Sequence, residues 1–219
     1  MSLHLERSLN NLTKELIFLS SIAEESVKLS IKSLYQRDTD IALKVIENDK
    51  KIDAKEIDIE EECLKIIALH QPVAIDLRRL IVILKINNDL ERIGDLSKNI
   101  SRHVIKIIEK KEKTLNIDIE KISNKVLFML KLSINSLVKT DDKFAKIVLD
   151  TDDEVDEMNR DITISLIQSL KNDPDNTELY IQHIHIIRHL ERIADHATNI
   201  AEDIIYLING EIVRHPHLR

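Results

Sequence analysis

Four carboxylate pairs stand at i,i+4 spacing in this chain: Asp49/Asp53, Glu91/Asp95, Asp152/Asp156 and Glu191/Asp195. On an α-helix that spacing sets both side chains on one face, one above the other. Two acids so placed repel, by about 0.2–0.5 kcal/mol per pair on an exposed helix. A bound cation reverses the sign. The all-oxygen set suits Fe³⁺, Mn²⁺, Mg²⁺ or Ca²⁺ better than Zn²⁺. Asn99 and Asn199, one turn beyond Asp95 and Asp195, are further candidates, either as ligands or as groups that orient one. The competing reading is a solvated acidic face, common in acidic helical proteins, and spacing alone leaves both open.

Other residue types offer less. His185, His189 and His196 share a helical face, and i,i+4 histidines are compatible with zinc. A surface or interfacial role is the more ordinary one for them. Cys63 falls on an apolar face and reads as a small core residue. Arg78, Arg79, Arg92 and Arg192 read as exposed or salt-bridging. No Ser/His/Asp or Cys/His nucleophile arrangement emerges. A carboxylate-bridged di-iron enzyme would need an ExxH motif, but Gly94 and Ala194 stand where the histidine should be.

The elements that must position these acids are helices. There are only two glycines and three prolines in 219 residues, against about 7% and 5% in ordinary domains, so breaks are few and elements long. Apolar spacing is helical nearly throughout. It predicts helices over about 3–34, 39–69, 72–108 and 117–139, a fifth that starts after Thr140-Asp141, and a sixth between Asp173-Pro174 and Gly210. Asp38-Thr39 and Thr140-Asp141 supply caps, Pro72 fits a helical first turn, Asp173-Pro174 opens the sixth helix, and Gly210 ends it. The polar stretch 109–116, which contains Lys110-Lys-Glu-Lys113, reads as a solvated hinge. Glu91 and Asp95 continue rows that begin with Leu77, Leu84 and Ile81. Because Ile83, Ile86, Leu90, Ile93, Ile100 and Val104 must take the core face, the acids should be partly exposed and face the second helix.

The pattern occurs twice. Leu29–Leu34 matches Leu132–Leu137 at an offset of 103, which also carries Asp49 and Asp53 onto Asp152 and Asp156. Residues 84–101 align with 184–201 at an offset of 100, with 8 of 18 positions identical. A period near 100 residues signals duplication of one structural unit. The expectation is an all-α protein: six long antiparallel helices in two tandem, pseudo-symmetric three-helix bundles, 1–112 and 113–219.

Composition closes off other classes. Glycine loops for phosphate or dinucleotide binding need several glycines within a few residues, and Gly94 and Gly210 are far apart. A net charge of −7 opposes nucleic-acid binding, which needs a dense basic face. One cysteine permits no intramolecular disulfide. The N-terminal region lacks an apolar signal core, and the uncharged stretch Leu16–Ala23 is far short of the roughly 20 residues of a membrane span. A soluble, cytoplasmic protein is expected.

Gln71-Pro-Val-Ala-Ile-Asp-Leu-Arg78, Leu90-Glu-Arg-Ile-Gly-Asp95, Leu190-Glu-Arg-Ile-Ala-Asp195-His-Ala-Thr-Asn199 and the closing Gly210-Glu-Ile-Val-Arg-His215 together resemble the PhoU family. The resemblance runs over essentially the whole chain, with Ala194 replacing Gly94 in the second copy. It implies a non-enzymatic negative regulator of phosphate uptake and phosphate-starvation signalling. The implied partners are the ATPase subunit of a phosphate ABC transporter and a sensor histidine kinase, and the implied assembly is a homodimer. It also implies multinuclear metal clusters, iron (Fe³⁺) first, with Zn, Mn, Mg or Ca open. By position they would lie at Asp49, Asp53, Glu91 and Asp95, and at Asp152, Asp156, Glu191 and Asp195. A structural helical module without metal is the alternative.

Overall fold

A computed structural model describes residues 3–110, 117 and 119–210. They form six α-helices: α1 (Leu3–Gln36), α2 (Thr39–His70), α3 (Ala74–Glu109), α4 (Glu120–Lys139), α5 (Asp142–Asn172) and α6 (Thr177–Asn209). No strand occurs among the described residues. The expected hinge and the boundary at 112/113 fall mostly outside those residues, as does the closing motif beyond Gly210.

Each helix buries one stripe. In α1 the buried residues Leu5, Leu9, Leu12, Leu16, Leu19, Ala23 and Val27 recur every three or four positions, which aligns them along a single face. Ser30 and Ser33 continue that face toward its C-terminal end. Their hydroxyls donate to the carbonyls of Val27 (2.8 Å) and Ser30 (2.7 Å), so they can be buried without an orphaned group. Ser133 and Ser136 do the same work in α4, bonding to the carbonyls of Leu130 and Asp141.

The caps repeat as well. Arg37 and Thr140 both adopt the left-handed conformation, with φ of 50° and 52°. After them, the Asp38 amide donates to the Ser33 carbonyl and the Asp141 amide to the Ser136 carbonyl. Both aspartates then cap the next helix, Asp38 accepting from the Ile41 amide and Asp141 from the Lys143 amide, each at 3.0 Å. Gly210, at φ 75°, ends α6 with its amide on the Tyr206 carbonyl at 2.9 Å.

Three expected boundaries move, the first being the start of α4, which falls at Glu120 and not at 117. Pro72 lies before α3 and not in its first turn. Gln71 is left-handed and Val73 extended, so helix begins only at Ala74. Pro174 opens a three-residue 3-10 turn, Pro174–Asn176, and α6 starts at Thr177.

Helices α1, α2 and α3 pack on one another, as do α4, α5 and α6. The halves meet mainly where α3 lies antiparallel to α6, with α1 against α4 beside it. Along that seam Arg78 stacks over Tyr206 and Lys85 pairs with Asp203 at 3.1 Å. Farther along, Asp89 pairs with His196 at 2.8 Å, and His103 meets Gln182 at 2.6 Å and stacks on His185. Shifting by 100 residues turns the Lys85–Asp203 pair into His185–His103. The two halves are therefore related by a pseudo-two-fold axis through the seam.

Candidate metal centre

The acids converge between neighbouring helices in both halves. Asp49 and Asp53 come from α2 to meet Glu91 and Asp95 from α3. Asp152 and Asp156 come from α5 to meet Glu191 and Asp195 from α6. The expected core row Ile83, Ile86, Leu90, Ile93, Ile100 and Val104 is buried throughout, which turns Glu91 and Asp95 to a half-exposed flank facing α2.

In the second half, Asp156, Glu191 and Asp195 each offer an oxygen within 4.8 Å of the other two. Burial, then the charges of Asp195 and Asp156, lifts the Glu191 carboxyl above its ordinary range. Burial and Asp156 lift that of Asp195. Asp152, one turn before Asp156, is raised by burial and by Asp156 and Asp195, while a hydrogen bond from the Thr198 hydroxyl (3.1 Å) opposes the shift. Among the described residues no lysine or arginine reaches these acids within 4.0 Å. Asn159 stands three residues after Asp156, on the same face of α5, with its Oδ1 buried and lacking a hydrogen-bond partner. Crowded carboxylates of this kind are a donor set that a hard cation would satisfy.

In the first half the carboxylates are not left alone. Lys98 on α3 donates to Asp49 Oδ2 at 2.5 Å and also to Asp95 Oδ1. Arg92 approaches Glu91 (3.4 Å) and Asp95 (4.0 Å) from the solvent side. Burial, then Asp49, raises the Asp53 carboxyl, with Lys98 pulling the other way. Burial also raises Glu91, with Arg92 opposing and Asp95, Asp53 and Glu56 adding to the rise.

The asparagines face other partners. Asn99 accepts from Arg102 at 3.2 Å, and the Asn199 amide donates across the seam to Asp89 at 3.4 Å. The histidines do not form one cluster either. His196 is drawn to Asp89, while His185 and His189 gather around His103 of α3 with ring centroids 4.9 and 5.4 Å away. Sequence reasoning missed Lys98, Thr198, Asn159 and His103. The first two were visible as unlike residues at matching positions of the repeat.

The PhoU domain pattern matches residues 16–104 and 119–204, one stretch in each half. This chain belongs to the PhoU family. A "phosphate-specific transport system accessory protein PhoU homolog" of Aquifex aeolicus is 36% identical to it over 97% of this chain and 96% of that relative. A PhoU homolog of Thermotoga maritima is 34% identical over 95% of this chain and 90% of its own length. The crystal structure of PhoU from Pseudomonas aeruginosa superposes with a TM-score of 0.91 at 32% identity, covering 94% of this chain and 99% of that one. The phosphate transport system regulatory protein PhoU from Streptococcus pneumoniae superposes at 0.88 with 26% identity, covering 95% and 99%. The PhoU-family fold thus accounts for the six helices and their two tandem units.

Proposed function

We propose that this chain is a non-enzymatic accessory protein of phosphate-specific transport, a cytoplasmic adaptor that restrains uptake and starvation signalling when phosphate is plentiful. Its partners would be the ATPase subunit of a phosphate ABC transporter and a sensor histidine kinase, with the adaptor itself a homodimer. The observation that carries this reading is the match over both repeats to relatives named as accessory proteins of that transport system. No helix among the described residues is long and apolar enough to cross a membrane, which fits a protein that acts on membrane partners from outside the bilayer.

The cation part of the proposal rests on the second-half acids. Asp156, Glu191 and Asp195, with Asp152 beside them, would hold a hard cation, iron(III) or Mn²⁺ first. A cation there would relieve mutual repulsion and fix α5 against α6, shaping the surface those helices present.

Deleting the gene should derepress a secreted phosphatase in phosphate-rich medium, and the full chain should restore repression and co-purify with the transporter ATPase. Unchanged repression in the deletion strain would refute the regulatory role. For the cation, equilibrium dialysis against Mn²⁺ and Fe³⁺ should show binding that Asp156→Asn plus Asp195→Asn abolishes.

A further inference from the structure

The pseudo-two-fold axis carries α2 and α3 onto α5 and α6, so the surroundings of the two acid clusters can be compared position by position. The difference of greatest chemical weight is Lys98 against Thr198. The Lys98 ammonium reaches one acid from each first-half pair, Asp49 on α2 and Asp95 on α3. Its side chain is only 17% exposed. Its ammonium donates to both carboxylates and so bridges α2 and α3. Thr198 brings a neutral hydroxyl to Asp152 and nothing to Asp195.

The packing around the clusters differs in the same sense. In the first half α2 crosses Gly94, where an added Cβ would lie 2.8 Å from Ile52 Cδ1. The matching pair in the second half is Val155 against Ala194, both buried. Beside Gly94, Asp49 is 95% removed from solvent. Its counterpart Asp152 is half-buried, and Asp156 and Asp195 are exposed. Asp49 is shut in beside the ammonium, while Asp95 keeps 34% of its side chain exposed.

We infer that Lys98 is the built-in counter-ion of the first acid cluster, that this cluster takes no metal, and that cation binding in this chain belongs to the second half alone. The inference rests on the cation reading above. Lys98 engages Asp49 Oδ2 and Asp95 Oδ1 but leaves Asp49 Oδ1 without a partner, so a metal entering the first cluster would find a free oxygen there yet meet a like charge at hydrogen-bond range of two of the acids. Lys98 would have to leave, stranding its ammonium from two carboxylates that hold it. Nothing comparable must be displaced from Asp156, Glu191 and Asp195.

The test uses the full chain, stripped with chelator and dialysed against Mn²⁺, with bound metal counted by mass spectrometry. Asp53→Asn plus Glu91→Gln should leave the bound Mn²⁺ unchanged, whereas Asp156→Asn plus Glu191→Gln should remove it. Thr198→Lys should remove it too. Lys98→Thr should double it, with circular dichroism verifying the fold. A drop in bound Mn²⁺ in the first-half double variant overturns the inference while leaving the second-half site standing. That variant does not touch Lys98, so it decides the matter even if Lys98→Thr fails to fold. A folded Lys98→Thr protein that binds no more than the parent also overturns it. A parent chain that binds no Mn²⁺ overturns the cation reading itself.

Discussion

Replacing Asp195 with asparagine should raise the melting temperature of the chelator-treated protein and lower it, relative to the parent, in Mn²⁺. The Asp195 oxygen lies within 4.8 Å of oxygens on Asp156 and Glu191. At that distance two unit charges repel by about 0.9 kcal/mol at the dielectric of water and about 3.5 kcal/mol at an effective value near 20. Asp156 and Asp195 are exposed, so the lower figure governs, and salt reduces it further. Losing Asp195 deletes two of the three repulsions, about 1–2 kcal/mol. For a chain of this length that is a rise of about 2–8 °C. With Mn²⁺ at about 100 times its Kd the parent gains about 2.7 kcal/mol, or about 5–11 °C, which the variant forfeits. The order of the two melting curves therefore reverses between chelator and metal. The pH dependence follows the same logic. The raised carboxyls of Asp152, Glu191 and Asp195 make the folded state hold more protons than the unfolded one, starting from their ordinary values of 3.8 and 4.5. Their contribution favours the fold in acid and is lost as pH rises through the raised values. Bound Mn²⁺ should flatten that slope. Scanning calorimetry in EDTA and in Mn²⁺ measures all of this. A variant that melts below the parent in EDTA, or one that keeps the parent's Mn²⁺ shift, would refute the reasoning.

Three other outcomes can be checked by denaturation. Lys98→Met should destabilise the metal-free protein by about 3 kcal/mol, because it leaves the buried Asp49 carboxylate without its partner, and adding Asp49→Asn should recover much of that loss in urea melts. Gly94→Ala gains about 1 kcal/mol of helix propensity but pushes into Ile52, with an overpacking cost of about 1–3 kcal/mol. Ile52→Val should then rescue it, and a double-mutant cycle with no coupling would show that the contact is slack. His189, whose pKa is lowered to about 4 by burial and then by the charges of His103, Arg192, His185 and Arg188, stabilises the fold above pH 6.5 and loses that contribution as pH falls toward 4. In chelator, where the carboxylate slope is common to both proteins, His189→Gln should lose less stability than the parent between pH 7 and pH 5.

What could be read from the chain was whatever depends on neighbours along it. Apolar spacing placed the buried stripes, Asp38 and Asp141 announced their helices, and the offsets of 103 and 100 paired the halves. Boundaries decided by backbone conformation were less legible. A proline before Val73 fits a first turn as well as it fits the bend that Gln71 makes by turning left-handed. Groupings across helices were least legible of all. His185, His189 and His196 share a face, but Asp89 and His103 on α3 divide them. Lys98 takes its meaning from Asp49, 49 residues away on another helix. A lysine beside acids on one helix looks like surface charge until the crossing helix is in place.

The substitution of Lys98 for a neutral residue gives the two arms of the molecule different dependence on their surroundings. On the inference above, the arm built from α2 and α3 carries a counter-ion within its own chain, so its shape should depend little on whether ions are scarce or abundant. The arm built from α5 and α6 must borrow that balance from solution. Joined along one seam, they would make a comparator, in which a fixed reference stands beside an element that responds to the ions around it.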